Sequence, residues 1–335
     1  MSYTNGLDNP ELYMQVKLYT GDGSTPSITL DGDTDMQPDL VWIKNRDQTD
    51  SHCLFDSVRG ATEVLHGETS AVEATDADTL TSFDSDGFTL GADVKVNTDT
   101  EAYVAWCWKE SATSGFDIVS YTGNDTARTI SHSLSAVPKM MIFKNTGSSS
   151  SEWPVYHGAN TSAPATDRLF LSGTHATGDN STFFNDTAPT SSVFSVGDSS
   201  DVNEASEITI SYLFAEKQGY SKFGSYAGNA NANGVFIYTG FKPAFFICKR
   251  ADATVVNSWN IFDNKRNTYN ETSCFLEADT TDAEDCASGG IDFLSNGIKI
   301  KTASARFNQS SSSYVYIAFA EAPFVNSNGV PCNAR

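Results

Sequence analysis

The sequence has few residues of the kinds that build metal and catalytic centres. Its 335 residues include 5 histidines, and no two of them stand four residues apart, as a zinc-binding helix requires. The 6 cysteines contain no C-x-x-C pair and follow no disulfide framework. Phosphate-binding loops, dinucleotide fingerprints and the G-x-S-x-G elbow are also missing. We therefore expect a protein that is not an enzyme.

Basic residues are scarce as well. The chain carries 21 Lys and Arg against 42 Asp and Glu, a formal charge of −21. Such a field repels nucleic acid and anionic membrane surfaces. No apolar run approaches the roughly 20 residues of a membrane span, and the first residues lack the features of a secretory signal. We expect no nucleic-acid partner, no membrane insertion and synthesis in a reducing cytoplasm, although pairing of Cys274 with Cys286 stays open.

Aromatic residues and turn formers are abundant, and the strongest strand pattern occurs three times. Each copy ends in a glutamate, at Glu110, Glu216 and Glu321, so the copies are spaced by 106 and 105 residues. Each alternates a bulky face with a smaller one, which is the period of a strand buried on at least one side. The last bulky residues are Trp108, Phe214 and Phe319. The pattern predicts a threefold tandem repeat.

Two other strands also recur. The first strand of each repeat carries a tyrosine before a glycine-containing turn, and a proline-started strand ends in a lysine. These positions are Tyr19, Tyr121 and Tyr226, and Lys44, Lys144 and Lys249. The repeated lysines and glutamates could form a threefold site. We favour a structural role, either an ion pair at the ends of adjacent strands or a contact between modules.

The spacing of strands and turns predicts an all-β fold. Seven or so short strands per hundred residues are typical of antiparallel β-sandwich, jelly-roll-like modules, and about 100 residues are enough for a module to fold on its own core. The predicted units are an N-terminal arm (1–13), repeat 1 (14–112), repeat 2 (113–222), repeat 3 (223–324) and a C-terminal arm (325–335). We expect the last arm to lie on a neighbour or to be disordered.

One acidic segment resembles the start of a calcium loop. Asp31, Asp33 and Asp35 stand at alternate positions, but the glycine and glutamate that complete an EF-hand are absent. An acidic hairpin tip is the favoured interpretation. Calcium is the one metal that the spacing suggests, and no other cofactor is expected.

The tryptophans suggest a surface for sugars. Aromatic rings beside polar loops are typical of saccharide-binding sites. The alternation places Trp42, Trp106 and Trp108 in strand cores. Trp153 and Trp259 each open a strand next to a loop, which makes them candidate ligand-binding residues. Packing remains the favoured alternative for both.

Several segments together resemble the tandem modules in tail-fibre and other virion proteins of marine tailed phages, cyanophages among them. The resemblance spans residues 14–335 and is carried by segments 38–46, 55–60, 83–90, 103–108, 184–194, 219–226 and 316–321. It implies a virion surface protein made in the host cytoplasm, with other virion proteins as partners. It supplies no mapped site. Because long fibres usually carry an anchoring domain and a shaft, and only the arm 1–13 is available here, we expect a compact appendage and a homo-oligomer such as a trimer.

Three functions compete. The leading one is a non-enzymatic virion protein that attaches to a host surface glycan or receptor. The alternative is a structural decoration or adaptor protein of the head or tail that binds no receptor. The third is a glycan-degrading enzyme, against which the absence of a β-helix repeat period argues.

Overall fold

The protein is all-β. The computed structural model describes residues 6–253 and 258–332, so residues 1–5 of the predicted N-terminal arm and 333–335 of the C-terminal arm lie outside the described residues. Antiparallel strands dominate, and the helices of the described part are three or four residues long. None of these helices is long and apolar enough to cross a membrane.

Repeat 1 forms a large sheet and a small sheet. Its elements are β1 (Met14–Thr20), β2 (Ser27–Ile28), β3 (Leu40–Asn45), β4 (Cys53–Asp56), β5 (Glu63–Val64), β6 (Ala74–Thr75), β7 (Leu80–Asp84), β8 (Gly87–Leu90), helix α1 (Val94–Asn97) and β9 (Ala102–Trp108). The large sheet has the order β1-β9-β3-β4 and the small sheet the order β2-β8-β7, while β5 and β6 form a ribbon.

Repeat 2 keeps the same large-sheet order and extends it. Its elements are β10 (Phe116–Thr122), β11 (Arg128–Ser131), β12 (Pro138–Asn145), β13 (Pro154–His157), β14 (Asp167–Phe170), β15 (Gly178–Asp179), α2 (Ser181–Phe184), β16 (Val193–Val196), α3 (Ser200–Asn203) and β17 (Ile208–Ala215). The large sheet runs β10-β17-β12-β13-β14-β15, and β11 pairs with β16.

Repeat 3 repeats the order once more. Its elements are β18 (Ser221–Ala227), β19 (Phe236–Tyr238), β20 (Phe241–Arg250), β21 (Asn260–Asp263), β22 (Leu276–Glu277), β23 (Ile291–Leu294), β24 (Gly297–Ile300), α4 (Ala305–Asn308) and β25 (Ser313–Pro323). The sheets are β18-β25-β20-β21-β22 and β19-β24-β23. The predicted boundary between residues 222 and 223 falls inside β18.

The glutamate-ended strands β9, β17 and β25 each have a hydrogen-bonded neighbour on both sides. Their two faces enter different apolar clusters. In β9, Trp106 and Trp108 join a cluster that contains residues of all three repeats, whereas Ala105 and Cys107 join a cluster between the large and small sheets of repeat 1. Repeats 2 and 3 have the equivalent second clusters. The large sheet of each repeat is thus covered by apolar side chains on both faces.

The cluster shared by the three large sheets is the largest feature that the sequence did not predict. We call it the shared core. The ring of Trp108 lies 6.4 Å from Phe214, 5.4 Å from Phe245 and 5.9 Å from Phe319, centroid to centroid. Rings from all three repeats therefore meet. The three large sheets pack against one another, because strands that are apolar on both faces need a cover on both.

The described parts of the two arms meet each other. Leu7 is buried in the shared core. Asn9 caps a 3-10 helix at Pro10–Leu12, and its side chain accepts a hydrogen bond from the Glu11 N–H. The Asp8 carboxylate accepts hydrogen bonds from the backbone N–H and the hydroxyl of Ser327. The C-terminal arm folds back on itself, with an antiparallel bridge between Val325 and Pro331.

Candidate binding surface

The candidate ligand-binding tryptophans are fully buried, so neither offers a ring face to a ligand, and the favoured packing interpretation is confirmed. Trp153 and Trp259 are both 0% exposed and belong to the shared core. The indole of Trp153 donates to the carbonyl oxygens of His66 and Thr69, each at 3.1 Å. That of Trp259 donates to the carbonyl of Phe170 at 2.7 Å. Both indoles therefore join one repeat to the preceding one.

Repeat 1 uses a histidine at the same position. His52 opens β4 as Trp153 opens β13, and its Nε2 lies 3.0 Å from the carbonyl oxygen of Glu277 in repeat 3. Its Nδ1 accepts a hydrogen bond from the Trp42 indole at 2.8 Å. Burial holds the pKa of His52 well below its usual value, so the ring is neutral and carries its proton on Nε2. The three repeats thus contact one another in a closed cycle.

A second cycle of buried contacts involves the last residues of β4, β13 and β21, which are Asp56, His157 and Asp263. The Tyr212 hydroxyl donates to Asp56 at 2.8 Å, and the Trp106 indole donates to Asp263 at 3.1 Å. In repeat 2 the ring of His157 lies 3.1 Å from the carbonyl oxygen of Tyr316. Because each contact joins two different repeats, these polar residues fix how the sheets pack, and they are not open to a substrate.

The repeated lysines and glutamates do not pair with each other, so the predicted ion pair is wrong. Antiparallel pairing places Lys44 beside Val104, whereas Glu110 follows the far end of the same strand. Instead, Glu216 pairs with Lys222 at 2.8 Å and Glu321 with Lys242 at 2.6 Å. Burial beside Asp117 raises the pKa of Glu110 to about 7.

The lysines are buried and donate to backbone carbonyls. Lys144 binds the carbonyl oxygen of Ser70 in repeat 1 at 3.1 Å, and Lys249 binds that of Gly173 in repeat 2 at 3.0 Å. Lys44 binds carbonyls of its own repeat, at Asn45 and Gln48. Two of the three positions are therefore contacts between repeats. Burial lowers the pKa of each lysine to about 8.

The repeated tyrosines and asparagines anchor the short helices. The hydroxyls of Tyr19, Tyr121 and Tyr226 donate to the carbonyls of Val96, Val202 and Phe307. Helices α1, α3 and α4 each end at a buried asparagine, at Asn97, Asn203 and Asn308. In repeat 2 the Asn203 amide donates to the carbonyls of Gly197 and Thr126, and its oxygen accepts from the Asn124 N–H.

The acidic segment does not form a converging metal site. Asp31, Asp33 and Asp35 are exposed, and Asp31 pairs with Lys17 at 2.5 Å. Among the described residues, Cys274, Glu284 and Cys286 are the group whose ligand atoms converge. The two sulfurs are bonded to each other, and Glu284 binds Arg46 and Arg266. The question left open for Cys274 and Cys286 is thereby answered, because the two cysteines form a disulfide.

A cleft of about 640 Å³ lies where repeat 3 meets the C-terminal arm. Tyr238, at the end of the edge strand β19, is 60% exposed in this cleft, and Phe324 is 36% exposed beside it. The charged and amide side chains on its walls are Glu216, Gln218 and Lys222. The Lys222–Glu216 pair lies at the surface, with side chains 36% and 29% exposed. The cleft thus combines exposed rings with charged and amide groups.

Sequence reasoning missed this cleft because its walls come from distant parts of the chain. A signal was present in β19, where Phe236 and Tyr238 flank buried Ile237 and are both exposed. Two large aromatic side chains on the solvent-facing side of one strand are unusual if their only role is to pack the core. A second, smaller cleft of about 230 Å³ lies between repeats 1 and 3 and includes Asp31 and Glu321.

No curated protein matches this chain. A family model described as "Domain of unknown function (DUF7483)" matches residues 9–323. That range includes the three large sheets, the shared core except Leu7, and most of the residues that line the 640 Å³ cleft. The chain belongs to this DUF7483 family.

Proposed function

We propose that the chain is a non-enzymatic phage virion surface protein that attaches to a host cell-surface glycan through the cleft around Tyr238. The resemblance of residues 14–335 to virion proteins of marine tailed phages supports the setting. The observation that most directly supports a binding role is the exposed Tyr238 ring, which lines the same cleft as Glu216, Gln218 and Lys222.

The chemistry of the cleft suits a saccharide. The apolar face of a sugar ring stacks on an aromatic side chain, and its hydroxyls take hydrogen bonds from both donors and acceptors. Tyr238 and Phe324 offer the rings. Lys222 and Gln218 offer N–H donors, and Glu216 and Gln218 offer acceptors. One shallow site of this kind binds weakly, so attachment would depend on several copies of the chain.

The proposed architecture is three tandem antiparallel β-sandwich modules of about 100 residues with short arms at both ends. The shared order of the large sheets in the three repeats supports it. The proposed partners are other virion proteins and further copies of the chain, as in a trimer. The proposed location is the virion, on a particle assembled in the host cytoplasm.

A structural decoration or adaptor role is the second candidate. It is favoured by the exposed apolar residues near the same cleft: Phe236 is 46% exposed, Phe324 36% and Val330 58%. Exposed apolar residues grouped in this way mark contacts with other proteins. In that case the cleft would hold a segment of another virion protein.

The test is binding of purified, labelled protein to intact cells of candidate marine hosts, with free saccharides as competitors. Tyr238→Ala removes the exposed ring of the cleft. Tyr269→Ala is the matched control, because Tyr269 is 81% exposed and does not line the cleft. We expect saturable, saccharide-competed binding that Tyr238→Ala weakens by about 2- to 10-fold, the value of one stacked ring.

Two outcomes would redirect the proposal. Binding that survives Tyr238→Ala would remove the cleft from the mechanism. Absence of binding to every cell type, together with stoichiometric recovery of the chain in purified particles, would establish the structural role. Release of shortened saccharides would overturn both and indicate an enzyme.

A further inference from the structure

The three repeats contact one another through three equivalent backbone hydrogen bonds. Two residues after each repeated lysine, a carbonyl oxygen accepts from a loop of another repeat. Glu73 donates to Thr146 at 2.9 Å, Thr177 to Ala251 at 2.8 Å and Glu284 to Arg46 at 2.9 Å. These bonds join repeats 1 and 2, 2 and 3, and 3 and 1. We use the name closing seam for the contacts between repeat 3 and repeat 1 around the Glu284–Arg46 bond.

The closing seam differs from the other two because no chain connection supports it. Repeats 1 and 2 are joined covalently at residues 109–115, and repeats 2 and 3 at residues 216–220. Repeat 3 is followed by the C-terminal arm, so its contact with repeat 1 is a loop closure across most of the chain. Such a closure costs conformational entropy that specific contacts must offset.

Glu284 is the centre of this seam. Its two carboxylate oxygens accept from Arg46 of repeat 1 at 2.8 Å and from Arg266 of repeat 3 at 2.9 Å. The Glu284 side chain is 8% exposed, and its own N–H makes the backbone bond to Arg46. One residue therefore supplies both a backbone and a charged contact to repeat 1.

The disulfide lies beside this residue. Cys286 follows Glu284 by two positions and is bonded to Cys274, and the chain between them is held by reciprocal backbone bonds of Phe275 with Asp285 at 2.9 and 3.1 Å. The loops that carry Glu73 and Thr177 contain no cysteine. The loop of repeat 3 that forms the closing seam is thus closed by a disulfide. The equivalent loops at the other two contacts, where the chain itself joins the repeats, have none.

We propose that the Cys274–Cys286 disulfide is an oxidation-dependent lock on the closing seam. In the reduced chain the loop that carries Glu284 opens more often, and repeat 3 separates from repeat 1 before the other seams open. Oxidation restricts that loop to the conformation in which Glu284 meets Arg46. This proposal is independent of the glycan-binding function.

The chemical step is thiol–disulfide exchange with a low-molecular-weight disulfide. One chain thiolate attacks that disulfide and releases one small thiol, and the second chain thiolate then displaces the other. The chain loses two electrons and two protons, and the small disulfide becomes two thiols. Cys286 is exposed and Cys274 is buried, so Cys286 is the sulfur that meets the reagent. Cys53, Cys107 and Cys248 are buried in their clusters and do not compete.

The test is hydrogen exchange of the folded chain, followed by mass spectrometry, before and after reduction. The reporters are the peptides that contain the Glu284, Glu73 and Thr177 amides. For a loop of this length we expect reduction to speed exchange at Glu284 by about 10- to 100-fold, with little change at the other two amides. Cys286→Ser should reproduce the reduced behaviour, and Cys332→Ser, which removes a thiol outside this loop, should not.

The proposal fails if exchange at Glu284 is the same in oxidised and reduced chains, or if the three amides speed up together. It also fails if the intact mass under a low-molecular-weight disulfide shows no loss of two hydrogens and no protection of Cys274 from alkylation. Reduction of the folded wild-type chain keeps the test informative if Cys286→Ser does not fold.

Discussion

Trp108 shows how one side chain can hold three repeats together. It is 3% exposed, and its ring contacts Phe214 of repeat 2 and both Phe245 and Phe319 of repeat 3. Its removal would open a cavity in the shared core that neighbouring sheets cannot fill, because each is held by its own strand pairing. Trp108 therefore contributes to the packing of all three large sheets.

The first prediction concerns this residue. Trp108→Ala should lower the free energy of unfolding by about 3–5 kcal/mol, measured by chemical denaturation. Tyr269→Ala, at a residue that is 81% exposed, should stay within about 0.5 kcal/mol of the wild type. Equal effects of the two substitutions would show that the shared core does not limit stability.

The three buried lysines predict a rise of stability with pH. The pKa of Lys44, Lys144 and Lys249 is about 8 in the folded chain, below the value of about 10.4 for an unfolded lysine. Between these values the unfolded chain binds more protons, so raising the pH favours the folded state.

We therefore expect the free energy of unfolding to rise between about pH 8 and pH 10 by on the order of 1 kcal/mol per lysine. The rise should end near pH 10, where tyrosines of the unfolded chain lose their protons. Burial raises the pKa of tyrosines such as Tyr19 and Tyr226 in the folded chain. Above that pH the folded chain therefore binds more protons, and raising the pH further favours the unfolded state. Lys144→Met should reduce the slope by about a third in denaturation curves at each pH. A slope unchanged by this variant would contradict the assignment.

At the scale of the element, the short helices serve as anchors. A four-residue helix is not stable by itself. In α3, Ser199 caps the first turn and accepts from the Asp201 N–H, and Asn203 at the other end binds three backbone groups from two loops. The helix thus connects the large sheet, the small sheet and the first turn of its repeat.

Asn203→Ala should therefore cost about 1–3 kcal/mol, because it leaves buried backbone groups without partners. Thermal unfolding measures the loss. Asn233→Ala, at an exposed position, is the control and should leave the melting temperature unchanged. Equal melting temperatures for both variants would mean that water replaces the lost bonds at no cost.

At the scale of the whole molecule, the large sheets depend on one another. In repeat 2 the inner face carries apolar residues that the other repeats cover, among them Phe116, Ile118, Met140, Tyr212 and Phe214. An isolated repeat would expose this face to water. Burial of apolar area stabilises a fold by about 25 cal/mol per Å², and a small domain is only marginally stable, so exposure of this face would destabilise the isolated repeat.

We expect residues 113–222, produced alone, to aggregate or to lack fixed tertiary structure. Near-ultraviolet circular dichroism and the dispersion of amide resonances are the measurements, with the full chain as reference. A monomeric fragment with dispersed resonances and a cooperative melt would show that each repeat folds on its own core, as the sequence had suggested.

The sequence by itself determined the strands and their threefold recurrence, because alternation of bulky and small residues has the period of a strand wherever it occurs. It identified the strand cores of Trp42, Trp106 and Trp108 and the repeated positions of Tyr19 and its equivalents. These are local properties, and local patterns can predict them.

Only the tertiary structure decided which surfaces meet. Trp153 and Trp259 begin strands beside loops, which left ligand binding and packing both open, and the structure shows that another repeat covers each ring. Lys44 and Glu110 recur together, yet antiparallel pairing sets them at opposite ends of their strands. The cleft of Tyr238 and Phe324 and the disulfide at the closing seam likewise depend on residues that the fold brings together. Contacts between distant segments depend on how the three sheets pack, and a linear pattern carries no such information.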